Sequence, residues 1–300
     1  MHRERMAYVY TALTVLLWST VASAFKLALR EYSYIQVLFY ASLTASLFLL
    51  STLLVQGKIG DVVTQTRRDW LRSAALGLLN PFLHYLVLFK AYSLLPAQEA
   101  QALNYTWPIL LSMLAVPMLK QPLTLSATVG VVISFLGVVV IGTRGDVMSL
   151  TFANPFGCVL ALASSLIWAV FWLFNVRDSR EPVLKLAASS LCGTAYVTVL
   201  LLLCQPLHVQ PLRGLLSSVY IGLFELGIPF VLWLKALTFA RRSSAVAQFA
   251  YLTPFLSLFF IHVTLKEELR NSSLLGLLLI VTGILVQRAS DSVRPLARSS

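Results

Sequence analysis

The sequence predicts an all-α integral membrane protein: ten transmembrane helices arranged as two inverted five-helix repeats. Composition is the first reason. Of the 300 residues, 58% are hydrophobic and 12% are charged, against about 25% charged in an ordinary soluble domain. Self-similarity is the second. Adding 146 to the residue number takes Tyr105 to Tyr251, Pro108 to Pro254, Lys120 to Lys266, Gly130 to Gly276 and Gly137 to Gly283. The third is the placement of basic residues. Fifteen of the 23 lysines and arginines, Lys58, Arg67, Arg68, Arg72, Arg177 and Arg180 among them, fall at one set of span ends. Five fall at the other: Arg30, Arg144, Arg213, Lys266 and Arg270. The positive-inside rule then places both termini in the cytoplasm of a multi-pass inner (plasma) membrane protein.

Crossing the hydrocarbon takes about 20 apolar residues. Runs of that kind centre near Ser19, Thr44, His84, Leu111, Ser134, Leu166, Thr194, Gly227, Leu256 and Ile280. The first, from about Tyr8 to Leu29, is too long for a signal-peptide core and stays as a span. Residues 1–148 make a first five-span repeat, 149–288 a second, and 289–300 a cytoplasmic tail. Five is odd, so the second copy enters the membrane upside down. The loops agree. Leu95-Pro96-Ala97-Gln98 has no basic residue, while its counterpart holds Arg241-Arg242. Arg30-Glu31-Tyr32-Ser33 is lightly charged, while its counterpart reads Arg177-Asp178-Ser179-Arg180.

Several classes fall away. The net charge of +11 invites a nucleic-acid reading, but the basic residues sit at span ends, as topology requires. There is no G-x-x-x-x-G-K-[ST] phosphate loop. Cys158, Cys192 and Cys204 form no paired motif, so neither a disulfide framework nor a zinc site is implied. Asp61, Asp69, Asp146, Asp178 and Asp291 have no metal-ligand spacing, which argues against a membrane-embedded lipid enzyme. No cofactor and no metal is expected.

Candidate site residues are the polar ones within apolar runs, where an unsatisfied group costs several kcal/mol unless it faces protein or a wet cavity. In the fourth span Gln101, Asn104, Tyr105 and Pro108 share one helical face. That face reads as a cavity wall, bent at Pro108, with Trp107 either lining it or packing behind it. Glu99 sits near the outer end and reads as a vestibule residue. In the third and eighth spans an offset of 145 matches Asn80 to Glu225 and His84 to Pro229. Glu225 either holds a substrate ammonium or a proton, or is a structural carboxylate bonded to a neighbour. His84 either donates to a substrate carboxylate or senses pH, or is a neutral interhelical link. Tyr85 points elsewhere and is expected only to pack. Trp168 and Trp172, i and i+4 on the sixth span, offer stacking and cation–π surface. Gln248 and Tyr251 mirror the fourth-span wall, with Pro254 as the matching hinge. Lys26, Lys90 and Lys235 read as snorkelling side chains. The Gly130/Gly137 and Gly276/Gly283 stripes read as helix packing, with a homodimer seam as the second option.

Trp18-Ser19 followed by Lys26 resembles the opening W-[GS]…K pattern of the EamA-type members of the drug/metabolite transporter superfamily. Trp168 is its counterpart, 150 residues on. Tyr251-Leu252-Thr253-Pro254, followed by Leu265-Lys266-Glu267-Glu268, resembles that family's repeat ending. The first half departs from it, with Lys120-Gln121-Pro122 where an acidic residue often stands. Asn104-Tyr105-Thr106-Trp107-Pro108 is similar to the N-Y-x-W-P motif of the aromatic amino acid exporter (YddG-type) branch. The resemblance implies a ten-span fold around a central cavity and efflux of aromatic or other neutral amino acids by alternating access. S-adenosylmethionine, nucleotide-type metabolites and hydrophobic drugs are the alternative cargo. The partners expected are a small-molecule substrate and the bilayer.

Overall fold

The computed structural model describes residues 2–119, 125–148, 152–204, 211–239 and 249–289. Regular structure among these residues is helical throughout. Helix α1 (His2–Glu31) turns tightly into α2 (Tyr34–Val55). Ser33 caps α2, accepting the Gln36 N–H at 3.2 Å while its own N–H donates to Gln36 Oε1 at 3.0 Å. Helix α3 (Arg67–Leu94) opens on the same device at Thr66 and Asp69. There follow α4 (Ala97–Asn104), α5 (Trp107–Leu119), α6 (Leu125–Gly142), α7 (Pro155–Arg177) and α8 (Pro182–Cys204). Then come α9 (Leu212–Phe239), a single 3₁₀ turn at Ala250–Leu252, α10 (Thr253–Leu265) and α11 (Asn271–Ala289). Six helices (α1, α2, α3, α7, α8 and α9) are each long and apolar enough to cross a membrane. The rest of the expected crossings fall on shorter helices.

Two of the long helices carry π-helical stretches at nearly matching places. α3 loosens into a π-helical stretch at Leu78–Leu83, where Asn80 is extended (φ −148°, ψ 123°). Pro81 accounts for this: it has no N–H to donate and bars the helical conformation from the residue before it. α9 has a π-helical stretch of equal length at Gly222–Gly227, ahead of Pro229 and without an extended residue. Such stretches often mark functional sites.

The fourth span corrects the sequence reading. It does not bend at Pro108. It stops at Asn104, turns through Tyr105 and Thr106, and restarts as α5 at Trp107. Pro108 thus sits in a first helical turn, where a missing N–H costs nothing. The shared face expected for Gln101 through Pro108 is split by this break. α10 starts at Thr253, 146 residues after Trp107, with Pro254 in its own first turn.

Packing pairs the halves. α6 lies against α11, with Gly130 on the backbone of Gly283 and Gly137 on that of Gly276, so the two helices run antiparallel. Ser134 donates to the Ile280 carbonyl at 3.1 Å between them. The glycine stripes therefore meet each other within one chain. Ser46 of α2 bonds Ser190 and Thr194 of α8 at 2.8 and 3.0 Å. α1 packs on α9 and α10, and its counterpart α7 packs on α3 and α5.

Candidate functional site

The π-helical stretch of α9 sets Glu225 against α3 and α1. Tyr85 donates its hydroxyl to Glu225 Oε1 at 2.9 Å, and Trp18 Nε1 donates to the Glu225 carbonyl at 3.3 Å. Tyr85 is wholly buried, whereas Glu225 keeps accessible surface. Tyr85 was expected only to pack; it is the donor to the central carboxylate. A mid-span tyrosine hydroxyl needs a partner, and that signal could have found it. Among the described residues no lysine or arginine is in ion-pair contact with Glu225. Asn80, in the π-helical stretch of α3, is buried, with Oδ1 unpartnered among the described residues.

His84 is buried next to Tyr85, with Nδ1 2.9 Å from the Ser164 carbonyl of α7. A carbonyl only accepts, so Nδ1 carries the proton, and a neutral ring presents Nε2 as an acceptor. The expected donation to a substrate carboxylate would need the charged ring. Trp168 stacks on His84, with centroids 4.7 Å apart and planes at 28°. It also meets Trp172 at 5.7 Å and Phe230 at 5.9 Å. Trp18 reaches Phe230 at 6.1 Å and Trp233 at 5.7 Å. Four helices thus build one aromatic box, with Trp107 packed at the edge of its core. Trp172 Nε1 is buried and, among the described residues, unpartnered.

The remaining fourth-span candidates split between neighbours. Asn104 donates to Ser164 Oγ at 2.8 Å, which joins it to the His84 side of the box. Gln101 accepts from Tyr92 at 2.6 Å and donates to Ser257 at 3.3 Å, a separate polar patch between α3 and α10. The Tyr105 hydroxyl donates to the Ala250 carbonyl, just ahead of buried Tyr251. Gln248 lies outside the described residues, as do Lys120-Gln121-Pro122, Arg241-Arg242 and 290–300.

Two charge clusters lie at the ends of the bundle. Glu99, expected in a vestibule, is 1% exposed and ion-paired to Arg144 Nε at 2.9 Å and to Arg270. Beside it Gln98 donates to the Glu268 carbonyl at 2.8 Å and accepts the Arg270 N–H at 2.9 Å. At the other end Arg180 grips Asp178 (2.6 Å), Gln65 (2.6 Å) and Ser73 (2.9 Å), docking the α7–α8 turn on α3. Burial pushes the Asp178 carboxyl up, but the Arg180 hydrogen bonds and charge outweigh it, leaving it below the usual carboxylate range. Lys90 lies over the Tyr34 ring at 5.1 Å and Lys235 over Tyr10 at 5.8 Å.

The fold recurs in a crystal structure that covers 99% of this chain and 100% of its own, with a TM-score of 0.68 at 23% identity. An uncharacterised transporter of Archaeoglobus fulgidus is 25% identical over 95% of this chain and 98% of its own length. The aromatic amino acid exporter YddG of Ancylobacter novellus is 25% identical over 73% of this chain and 75% of its own. The transporter YvbV of Bacillus subtilis is 24% identical over 73% and 72%. The EamA-like transporter family matches residues 5–143 and again 155–288. With two matches spanning nearly all of a chain built from apolar helices, the protein belongs to the EamA-like transporter family of multi-pass membrane proteins.

Proposed function

We propose that the protein is a secondary transporter that exports aromatic or other neutral amino acids across the plasma (inner) membrane by alternating access, and catalyses no reaction. The observation that carries this is the aromatic box of His84, Trp168, Trp172, Phe230 and Trp18, joined to Glu225 through Tyr85 and Trp18, with polar atoms on Trp172 and Asn80 unpartnered among the described residues. A lining of rings and amides with few fixed charges suits a small amphiphile; a polyanion would want clustered arginines. The relative named as an aromatic amino acid exporter supports the same cargo.

Two inverted five-span units are the moving parts in this reading, with both termini cytoplasmic. The antiparallel α6–α11 contact, the doubled family match and the paired π-helical stretches at residues 78–83 and 222–227 support it. The test uses purified protein in liposomes loaded with radiolabelled tryptophan. Saturable movement that unlabelled phenylalanine suppresses is the expected result. Movement no faster than in empty liposomes, with the protein folded, would overturn the amino acid reading and bring nucleotide-type solutes and drugs forward.

A further inference from the structure

Every described acidic side chain except Glu225 lies in a loop or near a helix end. Glu99, Asp178 and Glu181 are neutralised by arginine or lysine. Glu225 sits in the middle of a 28-residue apolar helix, and its side-chain partner among the described residues is a neutral phenol. An ionised carboxylate held in such a place without a counter-cation costs several kcal/mol. The missing positive charge has to come from something that can arrive and leave. Glu225 as a residue is only partly buried. The Tyr85 hydroxyl and the Trp18 N–H reach it from α3 and α1, so the aromatic box adjoins the carboxylate.

The fixed charges nearby are already engaged. On α1, Lys26 has Glu267, Arg30 and Glu99 as its charged neighbours. On α3, Lys90 lies over Tyr34, His84 is bonded to the Ser164 carbonyl, and Tyr92 donates to Gln101. On α2, Tyr40 packs against Tyr32 and Phe39. On α9 itself, Lys235 lies over Tyr10, and the Tyr220 hydroxyl is 2.6 Å from that of Thr20.

Resting on the transport reading above, we infer that Glu225 is an exchangeable cation site, occupied in turn by a proton and by the ammonium group of the solute. The protonated carboxyl meets R–NH₃⁺. The O–H bond breaks, the proton leaves to water, and the carboxylate pairs with the ammonium. Charge balances, because one cation replaces another. Competition for one carboxylate couples export of one ammonium-bearing solute to entry of one proton. The cargo class narrows to molecules that carry a primary or substituted ammonium next to an aromatic or apolar body.

The test titrates purified protein, in weakly buffered detergent with a pH dye, with three probes. L-tryptophan has both charged groups, tryptamine only the ammonium, and indole-3-propionate only the carboxylate. Tryptophan and tryptamine are expected to bind with about one proton released per ligand, and indole-3-propionate without release. Glu225→Gln should abolish the release and weaken tryptamine binding more than about tenfold, while Glu225→Asp keeps the release. Unchanged release or tryptamine affinity in Glu225→Gln overturns the site. Tight tryptophan binding without release overturns the site and leaves the amino acid reading standing. Tryptamine bound with release, and tryptophan ignored, keeps the site and overturns that reading. Binding of none of the three overturns both. If Glu225→Gln does not fold, the wild-type pH profile decides. The site requires tryptamine affinity to fall about tenfold per pH unit on the acid side of the midpoint, and a flat profile overturns it.

Discussion

Glu225, Tyr85 and Trp172 show how single atoms divide the labour of the box. The Tyr85 hydroxyl is the donor that satisfies the carboxylate. A hydrogen bond to a charged group contributes about 1.5–3 kcal/mol. Tyr85→Phe is therefore expected to lower the transport rate at least about tenfold while keeping the ring in place. Parallel thermal unfolding and liposome flux would separate that from misfolding. Trp172 is the opposite case. Its buried N–H has no partner among the described residues, and such a donor is a net cost of about 1–3 kcal/mol. Trp172→Phe should therefore leave Tm unchanged or raised and weaken solute binding several-fold. A fall in Tm with affinity unchanged would mean that the N–H serves the fold and not the solute.

Helix contacts decide which elements can move. Where α6 crosses α11, a Cβ on Gly283 would drive into Ser134 and the Gly130 carbonyl, whereas one on Gly60 would meet nothing within 4 Å. Gly283→Ala should destabilise by about 1–3 kcal/mol and Gly60→Ala should be silent, as read from unfolding midpoints. The Glu99 cluster ties the start of α4 to Arg144 and to the turn after α10. Glu99 is buried but its arginine partners are 39% exposed and can be solvated, so Glu99→Gln should weaken that closure by less than the loss of a fully buried pair would. A cysteine placed at Ser257 would then label faster from that face. At the other end, the Asp178 carboxyl is held below its usual range by Arg180. Its contribution is present above the unfolded carboxylate pKa and is lost as pH falls through the depressed folded value. Arg180→Ala should remove that acid-limb loss from a plot of stability against pH.

Across the whole molecule the organising feature is duplication. Equivalent π-helical stretches, equivalent helix starts and reciprocal packing of α1 on α9 and α7 on α3 recur at nearly constant offsets. Antiparallel contact between matched helices is what a two-fold axis in the membrane plane produces. The proposed topology of two inverted five-span units predicts that cysteines placed at Asp61 and at Asp146 are labelled from opposite sides of a sealed vesicle. Labelling of both from one side would refute the three crossings expected between them.

Composition, basic-residue placement and the 146-residue repeat were enough to reach the helical membrane class, because lipid forces these properties onto the chain one residue at a time; the family came from the resemblance of Trp18-Ser19, Tyr251–Pro254 and Asn104–Pro108 to its motifs. Glu225, His84 and Trp168 were legible as candidates for the same reason: a polar or indole group at mid-span stands out against apolar neighbours. Partners were not legible. Tyr85 to Glu225, His84 to Ser164 and Glu99 to Arg144 and Arg270 join residues 45 to 171 positions apart. Helical periodicity places a side chain on a face but does not say which helix that face meets. The split at Tyr105–Thr106 was hidden too, because a proline reads the same whether it kinks a helix or opens one. Sequence alone determined what has to be buried in lipid; only tertiary packing decided which buried polar groups satisfy one another and which carboxylate is left to find its cation elsewhere.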